Sequence, residues 1–301
     1  MSTPFKNITI TGASGSIGTI ILQKLLEAAT FNVTVLRRSG SSATFPDGVK
    51  VVDADLNSVD SVAAALKGQD ALVSAVGQQG IKGQKVLIDA AVAAGVSRFI
   101  PSEYGAALSH PEVRKLFVFK PKIDTEEYLF EKAKSTDLTY TFVWNNAFLD
   151  WGLQYDFILK VSDRKPVIYN GGDILFTATT LATIADGVVG VLNHPDETKN
   201  RGVRIKDVDV TQNQLLALAK KASGPDVTWD VEQVDLRALI AKTDLDVAKG
   251  STDYRVLLPY IMAALFDPKF DPLFKETDNE LLGLKGKTEE ELFEIVKQYV
   301  K

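Results

Sequence analysis

Near the N-terminus the chain reads Gly12-Ala13-Ser14-Gly15-Ser16-Ile17-Gly18. This turn follows an apolar, β-branched run at residues 8–11 and opens an amphipathic segment at residues 17–26. Glycines let the backbone turn tightly and approach a pyrophosphate, while the N–H groups and the positive dipole end of a helix attract it. The G-x-x-G-x-x-G spacing differs from the commoner G-x-G-x-x-G, and such a turn also occurs without any ligand. Its place between a strand and a helix nevertheless predicts a dinucleotide cradle in a βαβ unit.

The end of the next predicted strand indicates which dinucleotide is bound. Residues 31–36 are mostly β-branched and apolar, and the next three are Arg37, Arg38 and Ser39. A site for NAD normally has an acidic residue here, which binds the ribose 2′-hydroxyl. Two guanidinium groups and a hydroxyl instead suit a 2′-phosphate, because arginine donates planar, charge-assisted hydrogen bonds. The sequence therefore predicts NADPH, and the alternative is a solvent-exposed arginine pair on a loop.

The composition limits the possible partners. Of the 301 residues 45% are apolar, and the net charge of −5 provides no general attraction for nucleic acid or an anionic membrane. No run reaches the roughly twenty apolar residues of a membrane span, and the first residues lack a signal-peptide pattern, so we expect a cytoplasmic protein. The absence of cysteine excludes disulfides and a thiol nucleophile, and two histidines, His110 and His194, argue against a metal site.

Short β-rich runs alternate with helical patterns through the first half of the chain. This alternation is typical of the α/β class, and we expect a Rossmann-type, doubly wound parallel sheet. After about residue 150 the alternation loosens and prolines divide shorter elements, which predicts a smaller C-terminal α/β substrate lobe. We expect an NADP-binding domain at residues 1–155 and mainly a substrate-binding lobe at residues 156–301. Segments near residues 178–205 look able to return to the first domain.

Several blocks of sequence together resemble one enzyme family. They are the glycine turn, Arg37, residues 55–57, 73–77 and 139–142, and, as the most specific block, residues 94–105, which end in Arg98-Phe99-Ile100-Pro101-Ser102-Glu103-Tyr104-Gly105. The chain thereby resembles the NmrA-like and isoflavone reductase-like atypical short-chain dehydrogenases, nearly from end to end. Residues 148–153 look more like a fungal, aromatic alcohol reductase-like branch than the plant enzymes. The resemblance implies a Rossmann domain with a small substrate lobe, NADPH as cofactor and reduction of phenylpropanoid-like compounds.

The resemblance also implies a catalytic lysine. In the family it follows the Pro-Ser-Glu-Tyr-Gly loop, carries a Phe-x-x-Lys pattern and acts as general acid or base. Lys122 and Lys120 both fit this pattern. We favour Lys122, because its spacing to the following helix matches the family, although any single lysine can equally be a surface charge. A third candidate is Tyr128 with Lys132, the Tyr-x-x-x-Lys pair of ordinary short-chain dehydrogenases, in which the ammonium would lower the pKa of the phenol.

The remaining candidate residues follow from the expected topology. Ligands of such sheets lie beyond the carboxyl ends of the strands. Besides the glycine turn and the residues after the second strand, we expect the dinucleotide to contact Ala75, Val76, Gly77, Gln78, Ser102, Glu103 and Asn146. Apolar walls for a planar substrate are expected from Tyr104, Phe148, Trp151 and Tyr155. Ordinary core packing is the alternative explanation of each aromatic residue.

Two functions from different classes fit these features. An NADPH-dependent reductase would pass hydride to an electron-poor carbon of a small aromatic or planar substrate, and carbonyl, ene or imine reduction would use the same geometry. A non-catalytic, NADP-sensing regulator like NmrA would instead bind a protein partner. The candidate lysines and the aromatic pocket favour the enzyme. We expect a monomer or a homodimer.

Overall fold

The structure is a computed structural model that describes residues 4–300. Within that range the strands are β1 (Asn7–Thr11), β2 (Asn32–Arg38), β3 (Lys50–Ala54), β4 (Ala71–Ser74), β5 (Arg98–Ile100), β6 (Thr139–Trp144), β7 (Ala147–Phe148), β8 (Val167–Tyr169), β9 (Phe176–Thr179), β10 (Arg201–Arg204), β11 (Val208–Val210) and β12 (Glu232–Val234). The α-helices are α1 (Ser16–Glu27), α2 (Val59–Ala65), α3 (Gln84–Ala94), α4 (Pro111–Arg114), α5 (Lys120–Ser135), α6 (Leu149–Gln154), α7 (Leu181–Asn193), α8 (Gln212–Ser223), α9 (Leu236–Ala248), α10 (Tyr254–Phe266) and α11 (Glu289–Lys297). None of these helices is both long enough and apolar enough to cross a membrane.

Seven strands form one sheet in the order β10-β6-β5-β4-β1-β2-β3. Every neighbouring pair in this sheet is parallel. Side chains of α1 and α7 fill the core on one face, and those of α2, α3 and α5 fill the core on the other. The predicted α/β class and the Rossmann-type, doubly wound parallel sheet are therefore confirmed. Because all seven strands run the same way, their carboxyl ends form a single edge, which we call the carboxyl edge.

Local signals determine where several elements begin and end. Ser58 caps α2 by accepting a hydrogen bond from the N–H of Ser61, and α3 ends at Gly95, whose φ of 72° favours glycine. Helix α5 begins at Lys120, with Pro121 in its first turn. Proline fits there because the first-turn N–H groups have no intrahelical acceptor.

The C-terminal half adds two small sheets and a second apolar core. The sheets have the orders β11-β9-β7 and β12-β8, and the core joins α6, α8, α10 and α11. Capping boxes begin α8 at Thr211 and α11 at Thr288. In the segment around residues 178–205, β10 pairs with β6 and α7 packs against α1, whereas β9 belongs to a small sheet. The division into residues 1–155 and 156–301 stays a prediction.

Candidate active site

The glycine turn between β1 and α1 lies at the carboxyl edge, beside the end of β4. A Cβ on Gly12, whose φ is 77°, would lie 2.4 Å from the carbonyl oxygen of Ala75. A Cβ on Gly18 would lie 2.1 Å from the carbonyl oxygen of Gly12. Real side chains do not tolerate such distances, so the close packing of the turn itself requires glycine at these two positions.

The third glycine of the turn, Gly15, has ordinary space around it. A Cβ there would lie 3.4 Å from its nearest neighbour, the carbonyl oxygen of Gly12, and the φ of −82° is open to any residue. In the part of the chain that the structure describes, no side chain caps α1, whose N-cap is Gly15. The lack of a side chain therefore leaves room beside the N–H groups of the first helical turn, and a phosphate group fits that room.

Arg37, the penultimate residue of β2, is held by its neighbours. Its Nε and Nη2 donate to the two carboxylate oxygens of Asp53 at 2.7 and 2.9 Å, and Nη1 donates to the carbonyl oxygen of Ala43 at 2.7 Å. The hydrogen bond to Asp53 raises the pKa of Arg37, and the same bond lowers the pKa of Asp53. Among residues 4–300 these bonds use three of the five N–H groups of a guanidinium. Exposed Arg38 and Ser39 follow at the same edge.

β2 is longer than the apolar pattern indicates. It continues through Arg38 because β3 pairs with it that far, with Arg37 opposite Asp53 and Arg38 opposite Ala54. The two arginines therefore lie within the strand rather than beyond it. Successive strand residues point to opposite faces of the sheet, so the two guanidinium groups leave the strand in different directions.

The segments after β4, β5 and β6 meet at the carboxyl edge. The hydroxyl of Ser102 donates to the carbonyl oxygen of Val76 at 2.7 Å, and its N–H donates to Oε1 of Gln84 at 2.7 Å. Asn146, with a φ of 51°, donates its backbone N–H to the carbonyl oxygen of Gly105 at 2.9 Å. These bonds bring together the expected dinucleotide contacts, namely Ala75, Val76, Gly77, Gln78, Ser102, Glu103 and Asn146. The carboxyl of Glu103 is fully buried.

A cavity of about 400 Å³ opens between this edge and α10. Its wall is mostly apolar and comes from the segments after β4, β5 and β6, from the start of α5 and from α10. Of the expected substrate contacts, Tyr104, Phe148 and Trp151 lie in this wall. The size and the lining suit a small planar organic molecule.

Tyr155 does not lie in the wall of the cavity. Its side chain is 58% exposed and packs against the ring of Trp151 with the ring centroids 5.1 Å apart. The expectation of a direct wall contact from Tyr155 is therefore not met in this structure. The side chain points outward because α6 ends at Gln154 and the chain turns at Tyr155. Phe157, two residues later, lies in the cavity wall instead.

Several wall residues were not foreseen from the sequence. They come from the segment before α5, the loop after α6 and helix α10, and are Val118, Phe119, Phe157, Tyr254, Leu258, Ile261, Ala264 and Leu265. The α10 sequence is apolar around most of its circumference, a pattern that signals burial without telling a core helix from a cavity wall. Nothing else in the local sequence indicates that these residues line a cavity.

Among residues 4–300, Lys122 is the only charged residue in the cavity wall. Its Nζ donates to the carbonyl oxygens of Glu103 and Tyr104, the latter at 3.1 Å. Burial lowers the pKa of Lys122, while the nearby carboxyls of Glu103 and Glu126 act in the opposite direction. An amine whose pKa is lowered releases its proton more readily than the amine of an exposed lysine does.

Lys120 lies elsewhere. Its side chain is 57% exposed and forms an ion pair with Asp124, one turn further along α5. The hydrogen bond to Asp124 raises the pKa of Lys120. Lys120 does not belong to the described cavity wall, and its environment is that of a surface lysine.

Tyr128 and Lys132 share the face of α5 that packs against α3. Tyr128 donates its hydroxyl to Oδ1 of Asp89 at 2.6 Å, and Nζ of Lys132 lies 2.6 Å from the same oxygen. Burial and the hydrogen bond to Asp89 raise the pKa of Tyr128. The expected lowering of that pKa is therefore wrong, because the carboxylate of Asp89 stabilises the protonated phenol and engages the ammonium. Neither side chain is part of the described cavity wall.

Comparison with known proteins identifies the family. The sequence model of the NmrA-like family matches residues 4–243. The chain belongs to the NmrA-like family. Among the relatives of this NmrA-like protein, oxidoreductase poxI of Penicillium oxalicum is 32% identical over 297 residues, which cover 95% of this chain and 92% of that protein. The predicted resemblance and the predicted class, an oxidoreductase, are therefore confirmed.

Solved structures agree on the fold of this NmrA-like protein. A crystal structure of isoflavone reductase superposes with a TM-score of 0.78 at 24% identity and covers 98% of this chain and 100% of that chain. The structure of AtPrR2 with NADP+ and (+)-pinoresinol superposes with a TM-score of 0.76 at 18% identity, over 100% of both chains. At such identities the likeness concerns the fold alone.

Proposed function

We propose that this NmrA-like protein is an NADPH-dependent reductase that acts on a small aromatic or planar organic substrate, with Lys122 as general acid. The observation that carries the proposal is the partly buried Lys122 amine in the wall of an apolar cavity, next to the edge that holds the glycine turn. The structure of AtPrR2, which has the same fold, contains NADP+ together with the aromatic compound pinoresinol. That pairing supports an aromatic ligand for the cavity of this chain.

The residues at the carboxyl edge fit NADPH. The room at Gly15 beside the uncapped start of α1 would take the pyrophosphate. The two guanidinium groups leave β2 in different directions, so Arg37 or Arg38, together with the hydroxyl of Ser39, would take the 2′-phosphate. When it is bound there, NADPH supplies a hydride to the substrate.

Lys122 provides the proton. An ammonium has three N–H groups, and two of them are used by the carbonyl oxygens of Glu103 and Tyr104. These bonds fix the direction of the third, which remains for the substrate. Lys122 gives that proton to the substrate atom on which negative charge develops, while the rings of Phe148 and Trp151 hold a planar substrate and exclude water.

The test is NADPH oxidation, followed at 340 nm, with a panel of aromatic carbonyl, ene and imine compounds. Lys122→Ala should lower kcat by a factor on the order of 10² to 10⁴, with little change in NADPH affinity, because the amine acts on the transition state. Lys120→Ala, two positions away on the same helix, is the matched control and should stay near the parent value. An inactive Lys120→Ala together with a normal Lys122→Ala would overturn the assignment. A parent protein that binds NADPH but reduces nothing in the panel would favour the regulator.

A further inference from the structure

A second cavity, of about 320 Å³, lies beside the apolar one. Both cavities have Ala106, Asn146 and Ala264 in their walls, so they are neighbours at the carboxyl edge. The rest of the second wall comes from the segment between β5 and α4, from the start of α4, from the end of β10 and from residues 270–276. Because Arg204 lies in this wall, we call it the arginine cavity.

Arg204 is held in place by two aromatic rings. It is the last residue of β10, the edge strand of the seven-stranded sheet, and it lies opposite Trp144 in the pairing with β6. Its Cζ atom lies 6.0 Å from the ring centroid of Trp144 and 5.8 Å from that of Phe274. Such cation–π contacts position a guanidinium while its positive charge stays in full.

The charge of Arg204 has no counter-ion in the part of the chain that the structure describes. Its Nη2 donates to Oγ of exposed Ser109 at 3.2 Å, and no ion pair to a carboxylate accompanies this bond within residues 4–300. Arg201, on the same strand, instead pairs with Asp278 at 2.8 Å and does not belong to the cavity wall. A partly buried guanidinium that uses one of its five N–H groups is suited to receive an anion from the cavity.

The other charges in the wall limit the kind of anion. Lys275, Asp271 and Glu276 are exposed parts of the wall, so together with Arg204 they give two positive and two negative formal charges. A doubly charged phosphate would be repelled by both acids, whereas a single carboxylate matches the planar fork of one guanidinium. The hydroxyl of Ser109, whose oxygen accepts from Arg204, keeps its own O–H for the same carboxylate.

We propose that the arginine cavity is a binding site for a carboxylate group, held by Arg204 and Ser109. The carboxylate has two sources, which the experiment distinguishes. It is either the acid group of the substrate, whose planar part lies in the neighbouring apolar cavity, or a separate small carboxylate. The first source rests on the proposed function and makes the substrate an aromatic or planar acid. The site itself is independent of that function.

The test measures the binding of three probes to the full chain by ligand-observed NMR. The probes are acetate, cinnamate and cinnamamide, which is the uncharged counterpart of cinnamate. Arg204→Gln should weaken acetate binding on the order of 10- to 100-fold, because charge-assisted hydrogen bonds are lost. Arg201→Gln, which removes a guanidinium of the same strand outside the wall, is the matched control and should keep the parent affinity. Cinnamamide should bind to all three proteins equally.

A second variant blocks the site and leaves Arg204 in place. Ser109 is exposed, so Ser109→Asp should fold, and its carboxylate should pair with the adjacent guanidinium. We expect this variant to lose acetate binding to the same extent as Arg204→Gln. It therefore tests the site even if Arg204→Gln is too unstable to measure.

Cinnamate distinguishes the two sources. If the acid group of a planar molecule reaches the arginine cavity, Arg204→Gln weakens cinnamate as much as acetate, and the two probes compete. If the carboxylate is a separate molecule, acetate and cinnamate bind together, and only acetate depends on Arg204. Both results support the site.

Equal acetate affinity in the parent, Arg204→Gln and Ser109→Asp would overturn the proposal. Inorganic phosphate that binds through Arg204 more tightly than acetate would overturn it as well. None of these measurements needs turnover. A parent protein that reduces nothing therefore contradicts the proposed function and leaves the test of the arginine cavity intact.

Discussion

Gly12, Gly15 and Gly18 belong to one turn, yet the space around each of them differs. Gly12 and Gly18 pack so closely against backbone carbonyls that a Cβ has no room. At Gly15 a Cβ would have room, so packing does not explain why this position has no side chain. A residue without a side chain, placed at the start of an uncapped helix, is instead what a bound phosphate group requires.

This difference can be tested with two substitutions in the same turn. Gly15→Val should fold with a near-normal Tm but should lose NADPH affinity on the order of 100-fold, because the branched side chain occupies the phosphate space. Gly18→Ala should lower stability by about 1 to 3 kcal/mol, because its Cβ meets the carbonyl oxygen of Gly12. Calorimetric titration with NADPH and thermal unfolding measure the two effects. Normal NADPH affinity in Gly15→Val would show that the turn has only a structural role.

At the scale of elements, α5 separates three candidate residues that the sequence places within nine positions. Successive residues of a helix are about 100° apart, so Lys120 and Lys122 point in clearly different directions. Lys122 reaches the cavity, Lys120 pairs with Asp124 at the surface, and Tyr128 packs on α3. The orientation of the helix, which its packing against α3 fixes, therefore decides which lysine can meet a substrate.

The α3–α5 contact yields a prediction for Tyr128. Tyr128→Phe removes the hydrogen bond to Asp89 while Lys132 keeps its ion pair with that carboxylate. We expect the free energy of unfolding to fall by about 0.5 to 1.5 kcal/mol and kcat to stay near the parent value. Urea unfolding and NADPH oxidation provide the two measurements. A variant of normal stability that has lost its activity would instead support the arrangement of ordinary short-chain dehydrogenases.

At the scale of the whole molecule, the cavity joins residues that are far apart in sequence. Its wall takes Tyr104 and Lys122 from the first half of the chain and Leu258 and Ile261 from α10. The same packing removes Glu103 from solvent, and burial raises its pKa to about 8. We therefore expect the free energy of unfolding to depend on pH through Glu103, which is buried and belongs to no surface ion pair.

The sign of that dependence follows from proton linkage. The folded state holds the Glu103 proton up to about pH 8, whereas the unfolded chain releases it near 4.5. Between these values the folded state binds more protons, so this group makes the protein less stable as pH rises. Glu103→Gln removes the effect, and the free energy of unfolding of the variant minus that of the parent should grow between pH 5 and pH 8. Urea titrations across this range measure the difference, and a difference independent of pH would show that folded Glu103 is ionised.

Short-range chemistry made much of this fold predictable from the sequence. Apolar runs and the glycine turn predicted the first strand and helix, Gly95 marked the end of α3, and the Thr288 capping box marked the start of α11. Each signal depends on residues within about one or two turns of each other, so it can be recognised without knowing how the rest of the chain folds. The family blocks likewise brought Lys122 forward, but they left Lys120 and Tyr128 as alternatives.

Packing between distant segments decided the rest. The sequence could not show that α10 supplies a cavity wall, that Tyr155 points outward, or that Asp53 holds Arg37. Burial and hydrogen-bond partners depend on which helix faces which strand edge, and neither periodicity nor spacing contains that information. For the same reason the pKa directions of Lys122, Tyr128 and Glu103 follow only from the folded chain, because desolvation is a property of the whole surrounding structure.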